Sequence, residues 1–203
     1  MKSIRQKILV CFLAMTTAAA IVCGGLGVFM SYSSSQATLQ QSMLALATET
    51  SNHVTYQIQS YTNAVTALGM VPSLSDPETP VDEKQSLLNQ WVTEYDMMRG
   101  NVLTTSGMSL FDGNSYSDRE YFQQAMQGKT WISTPTVSKI TGELSLMVAA
   151  PLWQNGIPNS QVVGVVYLVP KETFLNDIMA TIKVSENSSA YMIDKDGNTI
   201  ADI

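Results

Sequence analysis

The sequence predicts an α+β protein in which an N-terminal transmembrane helix runs into a long helix and an antiparallel sheet follows. Three observations carry this. No charged residue occurs from Ile8 to Met30, and apolar positions from Leu39 to Leu68 recur at helical spacing. After Gly100 the pattern changes to short β-rich runs separated by turn residues. Strands in a run, rather than in strict alternation with helices, indicate antiparallel α+β.

The first element is the membrane helix. Ile8 to Met30 is ILVCFLAMTTAAAIVCGGLGVFM, uncharged and mostly apolar, and about 20 such residues at 1.5 Å rise cross roughly 30 Å of hydrocarbon. A cleaved signal peptide is the rival reading, because Ala18-Ala19-Ala20 offers small residues to a peptidase. The apolar stretch runs on past Ala20 to Met30 without a polar mature start, which favours an uncleaved anchor. Lys2, Arg5 and Lys7 precede the span and no acid appears before Glu49. By the positive-inside rule residues 1–7 are a cytoplasmic tail, 8–30 the span, and everything after about residue 31 is extracytoplasmic, with Tyr32 placed as an interfacial aromatic. The expected location is the plasma membrane, with the lipid bilayer as a partner. Small residues at Ala20, Gly24 and Gly27 let two anchors approach closely and motivate a homodimer, although glycine and alanine are common in membrane helices anyway.

The second element is a long amphipathic helix. Leu39, Met43, Ala47, Thr50, Val54, Ile58, Tyr61, Val65 and Leu68 follow one another at a mean step of about 3.6, and no Pro or Gly interrupts between Ser31 and Ala67. Such a helix rises on the order of 55 Å. His53 neighbours the stripe and reads as an ordinary surface residue. Pro72, Pro77 and Pro80 then break the pattern. Thr79-Pro80-Val81-Asp82 reads as a helix start, with Thr79 as cap. Leu87, Leu88, Trp91, Val92, Tyr95 and Met98 form the buried face of that helix, and Arg99-Gly100 ends it.

The remaining elements are shorter. Asn101 to Leu110 reads as a strand closed by the turn Asp112-Gly113-Asn114, and Asp118 to Gln127 as a short helix ended by Gly128. Trp131 to Ser138, Leu144 to Pro151 and Val162 to Val169 are strands, the first two separated by Thr141-Gly142. Lys171 to Lys183 reads as a helix and Ala190 to Asp194 as a strand before the turn Asp196-Gly197. Asn198 to Ile203 is an unfinished partner strand, so the chain reads as the front of a longer protein.

Composition narrows the function. Without Lys2, Arg5 and Lys7, eight basic residues face 17 acidic ones, a formal −9, which argues against a nucleic-acid partner. Both cysteines, Cys11 and Cys23, lie in the apolar run and there is one histidine, so Cys- or His-based metal chemistry has no ligand set. No metal or cofactor is expected. There is no G-x-S-x-G and no Walker loop. Asp112, Asp118, Glu120 and Glu143 fall in turns and helix starts rather than as a catalytic pair. The reading is a binding protein, not an enzyme.

The stretch Tyr116 to Val169 resembles the double Cache, or PDC-like, family of extracytoplasmic sensor domains. The signals are Ser117-Asp118-Arg119-Glu120-Tyr121-Phe122, then Ala125 and Gly128, Trp131-Ile132-Ser133, Ser138, Thr141-Gly142, Ala150-Pro151 and Gly164-Val165-Val166. Downstream, Ala190-Tyr191-Met192-Ile193-Asp194-Lys195-Asp196-Gly197 is similar to the opening of the second module. The resemblance implies a PAS-like antiparallel-sheet module with a small-molecule pocket. Residues 31–183 then form the long helix and membrane-distal module, and 184–203 begin a membrane-proximal one. It also implies a receptor signalling by a ligand-induced shift through the membrane helix. The opening Met1-Lys2-Ser3-Ile4-Arg5 looks like a methyl-accepting chemotaxis receptor. A histidine kinase or diguanylate cyclase input is the alternative, and a structural surface protein a further one.

In the amino-acid-binding subset of that family, an Arg followed by two aromatics holds the ligand carboxylate and a later Asp holds the amine. Arg119, Tyr121 and Phe122 match the first set, with Tyr-Phe where the subset has Trp-Tyr, and the Asp position falls on Val169. A valine cannot balance a buried ammonium. The implied ligand is a carboxylate or an uncharged molecule rather than an α-amino acid, with Arg119 as the anion contact. Trp131, Tyr116, Ser133, Thr136 and Ser138 complete the candidate ligand-binding set. Each has a plainer reading: core for the aromatics, strand polars for the hydroxyls, and a surface ion pair for Arg119.

Overall fold

The computed structural model of the chain describes residues 4–133, 136–137, 139–140, 144–171, 177–178, 180, 191–193, 197 and 199–202. The chain divides into two units, Met1–Glu49 and Thr50–Ile203. Helix α1 (Ile4–Leu68) makes up the described part of the first and opens the second.

In the first unit the apolar run stays helical and its large side chains, among them Ile8, Phe12, Leu13, Ile21, Leu26 and Phe29, are exposed. Among the described residues α1 is the one helix long and apolar enough to cross a membrane. Two hydroxyls in the apolar run are bonded within the helix. The hydroxyls of Thr16 and Thr17 donate to carbonyls three and four residues back, from Phe12 to Ala14, which removes their cost in hydrocarbon. The predicted stripe is only partly a core stripe: Leu39 and Met43 are exposed, and burial starts at Thr50.

The second unit is built on a four-stranded antiparallel sheet in the order β1-β6-β5-β2, from Met97–Thr104, Val162–Pro170, Val148–Trp153 and Trp131–Ile132. Two further hairpins pair β3 (Thr136–Val137) with β4 (Leu144–Ser145), and β7 (Tyr191–Ile193) with β8 (Thr199–Asp202). Tyr61, Ala64, Val65 and Leu68 of α1, Leu74 of α2 (Pro72–Ser75) and Leu88 of α3 (Val81–Glu94) pack on one sheet face against Val102, Val148, Ala150, Leu152, Val166 and Leu168. Each fully buried aliphatic side chain there contributes about 1.5–3 kcal/mol. The opposite face carries Leu103, Ala149, Val165, Tyr167 and Val169 under α4 (Glu120–Met126). Alternation along the strands explains the division: Ala149 and Ala150, or Val165 and Val166, point to opposite sides.

The end of α1 is fixed by backbone. Trp153 N–H donates to the Gly69 carbonyl at 3.0 Å, and a Cβ on Gly69 would stand 2.3 Å from the Pro151 carbonyl oxygen. The β2 ladder reaches only Val148 and Ala149, so on that edge Pro151 gives up no sheet hydrogen bond.

Several boundaries differ from the sequence reading. α3 ends at Glu94, not at Arg99-Gly100. Asp96 takes the left-handed region at φ 51°, which a short polar side chain tolerates, and this reversal sends Met97 into the ladder with β6. Met98 therefore leaves the predicted α3 face and packs on the α4 side of the sheet. The first strand is Met97–Thr104 rather than Asn101 to Leu110; the chain turns at Gly107 and Leu110 N–H comes back to the Val102 carbonyl at 2.9 Å. Pro80, not Thr79, is the N-cap of α3, and no side chain caps it. The predicted strands Trp131 to Ser138 and Leu144 to Pro151 each divide in two, and the second continues to Trp153. The turn Thr141-Gly142 and most of the predicted helix Lys171 to Lys183 lie outside the described residues.

Candidate functional site

The face under α4 is where sequence-predicted site residues converge. Tyr121 and Phe122 are adjacent on α4 with Ala125 one turn further on, all three are buried, and Gly128 (φ 83°) lets the chain turn out of the helix into β2. Arg119 is the N-cap residue of α4, extended and half-buried; its N–H donates to the Tyr116 carbonyl at 3.0 Å and its carbonyl accepts from Gln123 N–H. Tyr167 projects from β6 into the middle of the face. Its ring centroid lies 5.3 Å from that of Tyr121 and 5.9 Å from that of Tyr116, both tilted, a favourable aromatic arrangement.

A polar network holds the rim. Asp112 Oδ2 accepts from the Tyr116 hydroxyl and from Asn101 Nδ2, both at 2.8 Å, while Oδ1 accepts from Asn114 N–H. Asn101 also donates to the Tyr167 hydroxyl at 3.3 Å and accepts from Ser109 at 2.9 Å. Burial works to raise the Asp112 pKa, but the hydrogen bonds from Asn114, Tyr116, Ser109 and Asn101 outweigh it and hold the carboxyl below its ordinary value. Burial, and then the Asp112 carboxylate, push the Tyr116 phenol up. Lys139 lies 5.6 Å from the Tyr116 ring centroid and donates to the Ser115 carbonyl at 2.9 Å and to Asp118 Oδ1 at 2.6 Å, which lowers the Asp118 pKa.

Among the described residues, the Tyr121 hydroxyl and the Trp131 indole N–H are buried donors on this face without a hydrogen-bond partner. Tyr121 is 2% exposed, and burial raises its pKa strongly. An indole N–H only donates, and a phenol this far below its pKa stays protonated. An uncompensated buried donor costs about 1–3 kcal/mol, and an acceptor brought to either atom would recover that cost.

The other predicted site residues are distributed as follows. Ser133 is buried and its hydroxyl is engaged within the fold, accepting from Met147 N–H at 3.0 Å beside the reciprocal Ser133 N–H bond to the Met147 carbonyl. Thr136 lies on β3, opposite Ser145 and outside the main sheet. Ser138 lies outside the described residues. Val169 is fully buried in the same cluster as Tyr121, Tyr167 and Trp131.

Sequence reasoning missed Arg99, Asn101 and Tyr167. Arg99 is directly opposite Val169 in the β1–β6 register, so the two side chains leave the ladder on the same side. Burial is the main cause of the raised Tyr121 pKa, with smaller contributions from Tyr116, Arg119, Asp118 and Arg99. The only sequence signal for Tyr167 was a lone aromatic in a valine run, in step with Val165 and Val169.

The model of the Cache domain family matches residues 31–203. No curated protein matches the chain significantly. The fold is similar to the ligand-binding domain of the Campylobacter jejuni chemoreceptor Tlp3 in complex with 4-methylisoleucine (TM-score 0.65, 12% identity, 82% of this chain and 70% of that one). The isoleucine-bound sensory domain of Tlp3 gives 0.63 at 13% identity, over 82% and 71%. The sensor domain of the Vibrio cholerae histidine kinase DctB gives 0.64 at 15% identity, over 82% and 67%.

Proposed function

The chain belongs to the Cache domain family, and on that premise we propose that its exported part senses a small molecule bearing a carboxylate, held by Arg119. The bound state passes through α1 to the cytoplasm as the input of a methyl-accepting chemotaxis receptor. The supporting observation is the pair of buried, unpartnered donors, Tyr121 hydroxyl and Trp131 indole N–H, on the face that Arg119 borders. A carboxylate supplies acceptors for both and a charge for the guanidinium. An α-amino acid fits less well, because an ammonium would meet Val169 rather than an acid.

Ligand acts by favouring one of two conformations, and only to the extent that it binds them unequally. Input to a histidine kinase is the second reading, which the likeness to the DctB domain favours; it leaves the site unchanged. The test is calorimetry on the full chain in nanodiscs with butyrate as probe. Arg119→Ala is expected to cost on the order of 2–4 kcal/mol of binding. Arg119→Lys should restore part of it, since an ammonium lacks the planar fork. Unchanged butyrate affinity in Arg119→Ala removes Arg119 from the site, and tight binding of leucine overturns the carboxylate-without-amine assignment.

A further inference from the structure

We infer that α4 is coupled to the last turn of α1 around the β2 edge of the sheet, with Thr130 as the coupling residue and Trp153 as its support. The inference rests on the sensor reading above only for the direction of the signal, from α4 to α1, and names the route between them.

α4 and α1 pack on opposite faces of the sheet, each against its own set of side chains. They meet at the edge. β2 has two residues and pairs with Val148 and Ala149 of β5. Thr130, between Gly128 and β2, reaches α1 there: its hydroxyl lies 2.9 Å from that of Thr66, 64 residues away in the chain. The direction of this bond follows from the protons available. The single Thr66 O–H is given to the Thr62 carbonyl at 2.7 Å, so Thr130 donates and Thr66 Oγ1 accepts. Both residues are half-buried, and parting the two hydroxyls costs a hydrogen bond that water replaces only in part.

A second contact backs the first. Trp153 is 8% exposed and donates its backbone N–H to the carbonyl of Gly69, just past the end of α1. Its indole ring meets the other helix: a Cβ on Gly128 would stand 3.2 Å from ring carbon Cη2. One residue thus touches the glycine that closes α4 and the glycine that follows α1. The chain between α4 and Thr130 is tied back to the helix, with Gly128 N–H donating to the Ala125 carbonyl at 2.9 Å and Lys129 N–H to the Gln124 carbonyl at 3.3 Å. A shift of the last turn of α4 therefore carries Thr130 with it, and Thr130 holds the last turn of α1.

The experiment is amide hydrogen exchange on the full chain in nanodiscs. Gln123→Gly loosens α4 at an exposed position, by the roughly fivefold that a glycine costs inside a helix. Exchange should then rise threefold or more at Gly69 and Met70, whose N–H groups bond back to Val65 and Ala67. Adding Thr130→Val should cut that response to less than half, and adding Thr130→Ser, which keeps the hydroxyl, should preserve it. Thr66→Val should act in the opposite direction and speed exchange at Gly128 and Lys129. Strand β1 is the reference and should not change. No rise at Gly69 and Met70, a rise undiminished by Thr130→Val, or an equal rise in β1 overturns the inference. If Gln123→Gly does not fold, Thr66→Val decides, and unchanged exchange at Gly128 and Lys129 overturns it. None of these measurements involves a ligand, so the sensor reading stands or falls on the butyrate experiment alone.

Discussion

The Tyr116 hydroxyl donates to Oδ2 of Asp112 at 2.8 Å, across a turn of four residues, and the same oxygen accepts from Asn101. That single atom ties the loop after β1 to the strand beneath it. Tyr116, 2% exposed, is held at the rim by this bond and by its tilted contact with Tyr167.

The first prediction concerns this carboxylate. A group whose folded pKa lies below its unfolded value stabilises the fold above the ordinary carboxylate range, and the contribution is lost as pH falls through the folded value. Asp112 is such a group. Asp112→Ala leaves the buried Tyr116 hydroxyl without its acceptor and is expected to cost about 1–3 kcal/mol at neutral pH. Asp112→Asn keeps an acceptor but not the charge, so its stability should converge on wild type as the pH falls below about 4. Urea unfolding between pH 3 and 7 checks both; parallel curves for wild type and Asp112→Asn over that whole range would refute the coupling.

Gly69 is the second test. The Cβ of Gly69→Ala would lie 2.3 Å from a backbone oxygen of β5, which cannot swing aside as a side chain can. The variant should lose about 1–3 kcal/mol, the usual range for an overpacked contact, seen as a lower melting temperature. An unchanged melt would show that the junction of α1 with β5 is looser than described.

The third prediction is topological. In a background with Cys11 and Cys23 replaced by serine, a cysteine at Ser73 should react in intact cells with an impermeant maleimide, and one at Ser3 only after lysis. The basis is the placement of Lys2, Arg5 and Lys7 before the apolar run. The reverse labelling pattern would place the sheet in the cytoplasm and end the sensor proposal.

What was legible in the sequence was local. The period of α1 from Thr50, the valine-rich β6, Gly128 after α4 and the break at Pro72 follow from propensity and patterning. Arg99 was not legible. It precedes Gly100 in what reads as the last turn of α3, and only the register of β1 with β6, residues far apart in the chain, decides which face it joins. Asp112 shows the intermediate case. Its turn role was evident and Oδ1 performs it with Asn114, but the partners of Oδ2, Asn101 and Tyr116, depend on how the loop folds back. Ser133 shows the converse, a polar residue on the right strand whose hydroxyl the backbone of Met147 takes up.

β5 presents Ala149 to the arginine-bordered face and Ala150 to the core beneath α1, and a few residues on it grips the Gly69 carbonyl. Alanine has no side-chain torsion to rotate. A strand with methyl groups on both sides is a stiff membrane between two compartments, with no soft coordinate in which to dissipate a push. At these two positions β5 cannot yield by changing rotamer, so a displacement on one face of the strand is carried by backbone that it shares with the other.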